Sequence, residues 1–279
     1  MKKGLRALLL GAVSTMVWSG SAQASAGTEA GTSIQNTASV SYSVGGVSTS
    51  ANSNTATFVV DKKVNMTVTG GVVTQTAIGT TDEVTAFQVT NLTNATQDFK
   101  LTVDQQSLSV PILGIDNFDV TSLRVFVDSN GNGTYEAGLD TATYIDELAP
   151  DTAVTVFLLG NIPNTPGSDV AIVSLSAQAA AGGQASSLGA NLVATSILQS
   201  DSPSTVDIVF ADAAGTWDLA RDGIGRAFNA FKIATAAVSM TKVATVLSDP
   251  VNLLVNPHAI PGATMQYCLT LCNAGPGTA

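Results

Sequence analysis

The residues best suited to chemistry lie in one oxygen-rich run near the middle of the chain. Carboxylate and amide side chains alternate there with residues that include turn-forming glycines, and two further acids follow. Hard divalent cations such as Ca²⁺ prefer carboxylate, amide and backbone carbonyl oxygens. The run therefore predicts a structural Ca²⁺ site with ligands at Asp128, Asn130, Asn132, Thr134, Glu136 and Asp140.

The spacing of this run begins like that of an EF-hand loop and then departs from it. The twelfth position is Leu139 instead of Glu, and the flanks at 123–127 and 143–145 are typical of strands. The run is thus predicted to join two strands of a β-sandwich. Asn-Gly pairs also form hairpin turns without any metal, so a plain turn is the alternative. A bound ion here would stabilise the loop and would not catalyse a reaction.

The sequence contains few residues of the types that enzymes use for catalysis. One histidine and two cysteines nearly exclude a Cys/His metal site or a Ser-His-Asp triad. The remaining candidates are acids that could act as paired carboxylates in glycoside hydrolysis, namely Asp82, Glu83, Asp146, Glu147 and Asp151. Because acids on exposed loops are usually solvated, no catalytic or cofactor-binding residue is predicted, and the chain is not expected to be an enzyme.

The charge balance limits the partners. The 279 residues carry 11 Lys and Arg against 21 Asp and Glu, which gives a net charge of −10. Nucleic-acid binding needs a positive surface, so no nucleic-acid partner is predicted.

The N-terminus has the pattern of a secretory signal peptide. Lys2, Lys3 and Arg6 precede an apolar run that ends near Trp18, and A-x-A cleavage sites follow within residues 22–26. A membrane anchor needs about 20 apolar residues, more than this run supplies. Residues 1–26 are therefore predicted to be removed, which leaves no transmembrane segment in the mature chain. We expect an exported protein, secreted or at the cell surface, with the periplasm as a further location.

Beyond the signal segment, apolar and polar residues alternate in short segments separated by turn residues. This period of two predicts half-buried strands, and their spacing favours a sandwich over βαβ units. The fold class is therefore all-β, with an immunoglobulin-like antiparallel sandwich over residues 27–210. Its strands are expected at 64–68, 72–78, 84–89, 99–103, 123–127, 153–159, 170–177, 192–198 and 206–210.

A hairpin is predicted at the start of this domain. The tripeptide Asn-Thr-Ala occurs at 36–38 and again at 54–56, with Gly45-Gly46 and an Asn/Ser-rich stretch between the two copies. The edges of this hairpin are uncharged and rich in Ser and Thr. Residues 34–60 are therefore the segment expected to pair with a partner.

Residues 211–236 break the alternation and are predicted to be a linker. The loosely helical spacing of Trp217, Ile224, Phe228 and Phe231 is compatible with a short helix or with an edge loop that packs its aromatic residues on the sandwich. A cleft lined by Trp217 and nearby acids would indicate a different function. The alternative is then a carbohydrate-binding module or part of a glycan-acting extracellular enzyme.

The segment 237–279 contains a lysine-bearing strand at 240–244, a Pro261-Gly262 turn and a strand at 265–271 that is followed by Asn273. These residues resemble the start of a DUF11-type repeat, a bacterial extracellular immunoglobulin-like module. Residues 91–95, Asn-Leu-Thr-Asn-Ala, resemble the same signature in an earlier module. The resemblance implies two related modules, the second of them partial. It also implies a structural or adhesive scaffold whose partners are other surface proteins or glycans.

Two cysteines, Cys268 and Cys272, stand four residues apart in the last predicted strand. Residues at this spacing share a face of the strand, but their Cα atoms are roughly 13 Å apart, too far for a disulfide between them. The two thiols are expected to be free, with an intermolecular bond in an oxidising compartment as the alternative.

Overall fold

A computed structural model describes residues 27–111, 113–165, 169–212, 218–234 and 238–273. The predicted signal segment and Trp217 lie outside these ranges. All the regular secondary structure of the described part is β-strand, so the all-β prediction is confirmed. None of the described segments forms a helix of the length and apolarity that a membrane crossing needs.

The described part contains nineteen strands, numbered here in chain order. They are β1 (Ser33–Asn36), β2 (Ser39–Val44), β3 (Val47–Asn52), β4 (Ala56–Val59), β5 (Lys62–Val64), β6 (Met66–Thr69), β7 (Val73–Thr76), β8 (Glu83–Asn91), β9 (Gln97–Gln106), β10 (Ser109–Val110), β11 (Gly114–Ile115), β12 (Thr121–Val127), β13 (Tyr144–Leu148), β14 (Thr152–Asn161), β15 (Val170–Ala181), β16 (Ile208–Phe210), β17 (Ile224–Ile233), β18 (Val238–Ser248) and β19 (Thr264–Asn273).

Two sheets form a sandwich. The first has four antiparallel strands in the order β12, β14, β8 and β6. The second has five strands in the order β13, β9, β15, β17 and β7, antiparallel except for the parallel pair of β17 and β7. Apolar side chains from both sheets belong to one buried cluster. The predicted β-sandwich is thus confirmed, with the addition of this parallel pair and of a second one between β16 and β5.

The core lies between the sheets and is built from side chains that alternate along each strand. In β15 the core-facing residues are Ala171, Val173, Leu175, Ala177 and Ala179. The other face of β15 is buried as well, because Val170 and Ile172 pack against Val110 and Leu113. Coverage on both faces explains why the sequence of β15 is an almost continuous run of apolar and small residues.

A single amide connects the two sheets through the core. Asn229 of β17 is fully buried, and its Nδ2 donates to Thr85 Oγ1 at 2.8 Å and to the Ala86 carbonyl at 2.9 Å in the opposite sheet. Its Oδ1 accepts the Val72 N–H at 2.9 Å. The amide therefore satisfies buried polar groups that would otherwise have no partner.

The linker predicted at 211–236 is wrong for its second half. β17 pairs with β15 and with β7, so the sandwich extends to Ile233 instead of ending at residue 210. The helical spacing of the aromatic residues is misleading here. Phe231 packs in the core between the sheets, whereas Phe228 packs against the cluster on the other face.

The strand predicted at 192–198 is also wrong. The backbone forms no strand ladder over this range: an isolated bridge joins Asn191 to Ala180, and single N–H groups of Leu192 and Thr195 donate to the Ala179 and Ile208 carbonyls. A turn replaces the strand, because Ser196 accepts the Gln199 N–H with its carbonyl at 2.9 Å and the Leu198 N–H with its hydroxyl at 3.3 Å. Ile197 is consequently 99% exposed.

The predicted N-terminal hairpin is confirmed. β1 pairs with β4, and β2 pairs with β3 around a turn in which Gly45 and Gly46 have φ of 60° and 88°. Thr37 and Thr55, one from each Asn-Thr-Ala copy, share a hydroxyl hydrogen bond of 2.8 Å. Every residue of β2 and β3 is exposed.

A second hairpin closes the described part. β18 and β19 are the two strands predicted here, and each pairs only with the other within the described ranges. Pro261 and Gly262 form the turn before β19, with φ of 88° at Gly262. The register places a mostly apolar set on one face of this hairpin, namely Met240, Lys242, Ala244, Val246, Met265, Tyr267, Leu269 and Leu271.

Candidate calcium loop

The predicted metal ligands lie in one connection, residues 128–140, which we call the Asx loop. It leaves β12 of the four-stranded sheet and leads to β13 of the five-stranded sheet. Two backbone bonds fix its base, from Val127 N to the Ala142 carbonyl at 2.8 Å and from Asp128 N to the Thr155 carbonyl at 3.0 Å. The predicted strands on both sides of the loop are therefore confirmed, and the loop joins the two layers of the sandwich.

Asp128 organises the first half of the Asx loop. Its side chain is buried, and its Oδ1 accepts the Gly131 N–H at 2.8 Å while its Oδ2 accepts the Gly133 N–H at 2.7 Å. Both glycines have positive φ, 72° and 74°. This conformation strains residues with a side chain, so the Asn-Gly repeats are what allow the backbone to curl around one carboxylate.

Asp140 holds the far end of the loop. Its carboxylate is 1% exposed, and it accepts the Ser129 N–H on Oδ1 at 2.9 Å and the Glu136 N–H on Oδ2 at 2.8 Å. Because Ser129 lies at the start of the loop and Asp140 at its end, the bond between them closes the loop into a ring, and the bond to Glu136 fixes its second half.

Two of the remaining predicted ligands, Asn130 and Asn132, meet at Glu136. Its Oε2 accepts Asn130 Nδ2 at 2.7 Å and Asn132 Nδ2 at 2.8 Å. The amide oxygens cap the backbone, because Asn130 Oδ1 accepts the Asn132 N–H at 3.0 Å and Asn132 Oδ1 accepts the Thr134 N–H at 2.8 Å. All six predicted residues thus lie in one loop, but the carboxylate oxygens of Asp128, Glu136 and Asp140 do not all lie within 4.8 Å of one another.

An aromatic contact that the sequence did not reveal attaches the loop to the sandwich. Tyr135 stacks on Phe126 with ring centroids 5.5 Å apart and meets Phe157 edge-on at 5.9 Å. The two phenylalanines are cross-strand neighbours in β12 and β14. Tyr135 is the signal that could have indicated this anchor, because it is the lone aromatic residue in an otherwise polar run.

The donor chemistry of the loop fits Ca²⁺. Carboxylate and amide oxygens each have two lone pairs, so an oxygen that accepts one N–H can still bind a cation. Three carboxylates, those of Asp128, Glu136 and Asp140, supply the negative charge. Two amide N–H groups now occupy the side of Glu136 that faces Asn130 and Asn132. A cation between these three side chains would require the amides to turn and present their oxygens.

A second acidic group involves the pair Asp146 and Glu147. Oxygens of Asp98, Asp146 and Glu147 lie within 4.8 Å of one another. All three bind backbone N–H groups: Asp98 those of Glu147 and Gly189, Asp146 that of Ser186, and Glu147 those of Gly183 and Gln184. The group therefore holds the segment that follows β15. No sequence pattern indicates Asp98, because neither of its neighbours in β9 is an acid.

Two other acidic features lie apart from this group. Asp61, Asp201 and Asp207 place oxygens within 4.8 Å of one another beside β5 and β16. Asp82, a member of a predicted carboxylate pair, forms an ion pair with Arg124. Trp217, on which the glycan-binding alternative depends, lies outside the described residues.

Comparison with known proteins adds no relative: no family model matches the chain, and no curated protein is significantly similar to it.

Proposed function

We propose that the chain is an exported, non-catalytic scaffold of the cell surface whose sandwich is stabilised by Ca²⁺ in the Asx loop. The observation that carries this proposal is the composition and bonding of the loop, where residues 128–140 supply three carboxylates and two amides to one connection between the two sheets. The signal-peptide pattern at 1–26 and the DUF11-type resemblance at 237–279 support the surface location.

The ligands of the proposed site are the side chains of Asp128, Asn130, Asn132, Glu136 and Asp140, with the carbonyl of Thr134 as a further oxygen. Binding replaces the amide N–H partners of Glu136 with the cation, so the gain in free energy is the difference between these two sets of contacts. We therefore expect modest affinity, with a Kd on the order of 10⁻⁴ to 10⁻³ M, the range of extracellular modules.

Binding of Ca²⁺ would hold the two ends of the Asx loop together. A cation that links Asp128 near β12 to Asp140 near β13 ties together the two ends of a connection between layers. Anything that binds the folded state and not the unfolded chain stabilises the fold. In calcium-rich extracellular surroundings the loop would thus act as a clamp on one edge of the sandwich.

Titration calorimetry tests this proposal. The purified chain, first treated with a chelator, is titrated with Ca²⁺ and in parallel with Mg²⁺. We expect one Ca²⁺ site and much weaker Mg²⁺ binding, because Mg²⁺ gives up its water ligands reluctantly. Asp128→Asn keeps the shape of the side chain and removes its charge, and it should weaken Ca²⁺ binding at least about tenfold.

Asp104→Asn is the matched control, since Asp104 is an exposed carboxylate in β9, away from the loop. Binding should be unchanged in this variant. Equal losses in the two variants, or no Ca²⁺ binding by the natural chain, would show that the Asx loop is a turn without a metal.

The N-terminal hairpin is the proposed contact surface for a surface protein or glycan. Val40, Tyr42, Val44 and Val47 lie on one face of β2 and β3 and are between 48% and 68% exposed. Deletion of residues 34–60 should reduce retention at the cell surface while leaving the sandwich folded. Unchanged retention in the deletion variant would remove the hairpin from the proposal.

A further inference from the structure

β19 has an unpaired edge that lacks the features by which proteins prevent strands from pairing with other copies. Within the described residues its only partner is β18, which leaves the opposite row of N–H and C=O groups free. The ten residues of β19 include no charge and no proline. A long, uncharged edge of this kind is a template for another strand.

The other edge of the same hairpin is protected. β18 carries Lys242, and its register shifts between Val246 and Ser248, so Leu247 forms a bulge. A bulge on an edge strand opposes pairing with a further strand. Lys242 adds a charge to β18, with its Nζ 4.2 Å from the centroid of the Tyr267 ring on the β19 side, so the bulge is the feature that protects the free edge. Pairing with another strand is therefore expected at the β19 edge and not at the β18 edge.

The two cysteines fit a symmetric pairing along this edge. Cys268 and Cys272 are exposed, and they flank Thr270 at equal distances on the same face of β19. If two β19 strands pair antiparallel with Thr270 opposite Thr270, each Cys268 lies opposite the Cys272 of the other copy. Opposite residues in antiparallel strands have Cα atoms about 4.5 to 5.5 Å apart, within the range of a disulfide.

We propose that two copies of this chain associate through antiparallel pairing of their β19 strands and are locked by two reciprocal disulfides between Cys268 and Cys272. Each S–S bond forms by exchange with a small disulfide oxidant. The oxidant's S–S bond breaks and accepts two electrons, and the two thiol protons leave with the two reduced oxidant thiols. Two oxidant molecules are consumed for each dimer. The proposal is independent of Ca²⁺ binding by the Asx loop.

Single-cysteine variants provide the decisive test. The reduced full chain, Cys268→Ser and Cys272→Ser are each oxidised with glutathione disulfide and analysed by non-reducing electrophoresis. In the proposed register two identical cysteines are roughly 13 Å apart, so either variant alone should give at least about tenfold less covalent dimer than the natural chain. An equimolar mixture of the two variants should recover the dimer, because one Cys268 then faces one Cys272.

A charge at the symmetry centre provides a second test. Thr270→Lys places two like charges opposite each other and should abolish the dimer although both cysteines remain. Thr241→Lys is the matched control, because Thr241 lies on β18 directly opposite Thr270 and on the same face. Its dimer yield should equal that of the natural chain.

Three results would overturn the proposal. The first is a single-cysteine variant that gives as much covalent dimer as the natural chain. The second is no dimer from the natural chain or from the mixture of the two variants. The third is an equal loss of dimer in Thr270→Lys and Thr241→Lys.

Discussion

The sandwich and the two terminal hairpins are built from the same alternating sequence pattern, yet they differ in what covers their apolar face. In β15 and β17 the core-facing residues are buried by the opposite sheet, and Phe231 is 0% exposed. In β19 the alternating residue Leu269 is 61% exposed, and in β2 Val40 is 58% exposed. Alternation therefore predicts that a strand has two unlike faces, but it does not predict whether a second layer covers one of them.

This difference assigns separate roles to the two kinds of region. Covered faces supply stability, because removal of apolar surface from water is the main favourable contribution to folding. Isolated two-stranded hairpins are marginally stable and present free edges. This difference fits the proposal that the sandwich acts as the scaffold and that the hairpins are its contact surfaces.

The largest expected effect is on the free energy of unfolding, when a core side chain and a hairpin side chain are each replaced by alanine. Phe231→Ala removes a core side chain and should lower the free energy of unfolding by about 3 to 5 kcal/mol. Leu269→Ala removes a side chain that is already solvated and should change it by less than about 0.5 kcal/mol. Chemical denaturation measures both values, and similar losses would contradict the distinction between scaffold and hairpin.

The buried amide that connects the sheets should give the next largest effect. Asn229→Ala leaves the Val72 N–H and the Thr85 hydroxyl without their partner and should destabilise the sandwich by about 2 to 3 kcal/mol in chemical denaturation. Asn130→Ala is the control from the exposed part of the Asx loop and should cost less. Equal losses of stability in the two variants would mean that the buried amide of Asn229 contributes no more to stability than a surface residue.

Acid should open the loop of the C-terminal hairpin by protonating the Asp249 carboxylate that holds it. The backbone N–H groups of Asn252 and His258 bind the Asp249 carboxylate at 2.6 Å each and hold its pKa at about 2, below the usual 3.8. A lowered pKa means that the stabilisation is fully present above pH 3.8 and is lost as the pH falls toward about 2.

The amide NMR signals of Asn252 and His258 measure this opening. We expect them to shift with a midpoint near pH 2, and Asp249→Asn should abolish this titration. A midpoint at the ordinary aspartate value would mean that these bonds do not hold the loop.

The smallest expected effect is on stability after removal of the N-terminal hairpin. Residues 34–60 contribute no side chain to the core cluster of the sandwich. Their deletion should therefore leave the midpoint of the main unfolding transition almost unchanged in calorimetry. A large drop would show that the hairpin belongs to the scaffold.

Sequence reasoning succeeded where local chemistry decides the structure. The Asn-Gly repeats, the Gly45-Gly46 turn and the Pro261-Gly262 turn each lie where their conformational preferences predict. Predictions from the sequence are wrong where tertiary contacts decide the structure. Charged residues, two glycines and a loosely helical spacing of aromatic residues predict a linker where β17 forms an interior strand of the sheet. One of these glycines is required by tertiary packing, because a Cβ at Gly225 would lie 2.9 Å from Val68 Cγ2.

The candidate site shows the same division. The proposed ligand set of the Asx loop follows from oxygen chemistry and glycine spacing, both of which are local. The anchoring of Tyr135 on Phe126 and Phe157 depends on the pairing of β12 with β14, which no local pattern specifies. The buried Asp98 likewise becomes recognisable only when Glu147 and Gly189 are brought beside it.

Thermal unfolding of the chain with millimolar Ca²⁺ and with chelator, with Asp128→Asn measured alongside, decides whether Ca²⁺ in the Asx loop stabilises the sandwich. We expect Ca²⁺ to raise the Tm of the natural chain by about 1 to 5 °C, which corresponds to about 0.5 to 1.5 kcal/mol of linkage at the proposed Kd, and we expect no such rise in the variant. An unchanged Tm in the natural chain, or an equal rise in Asp128→Asn, would contradict the claim that calcium in the Asx loop stabilises the sandwich.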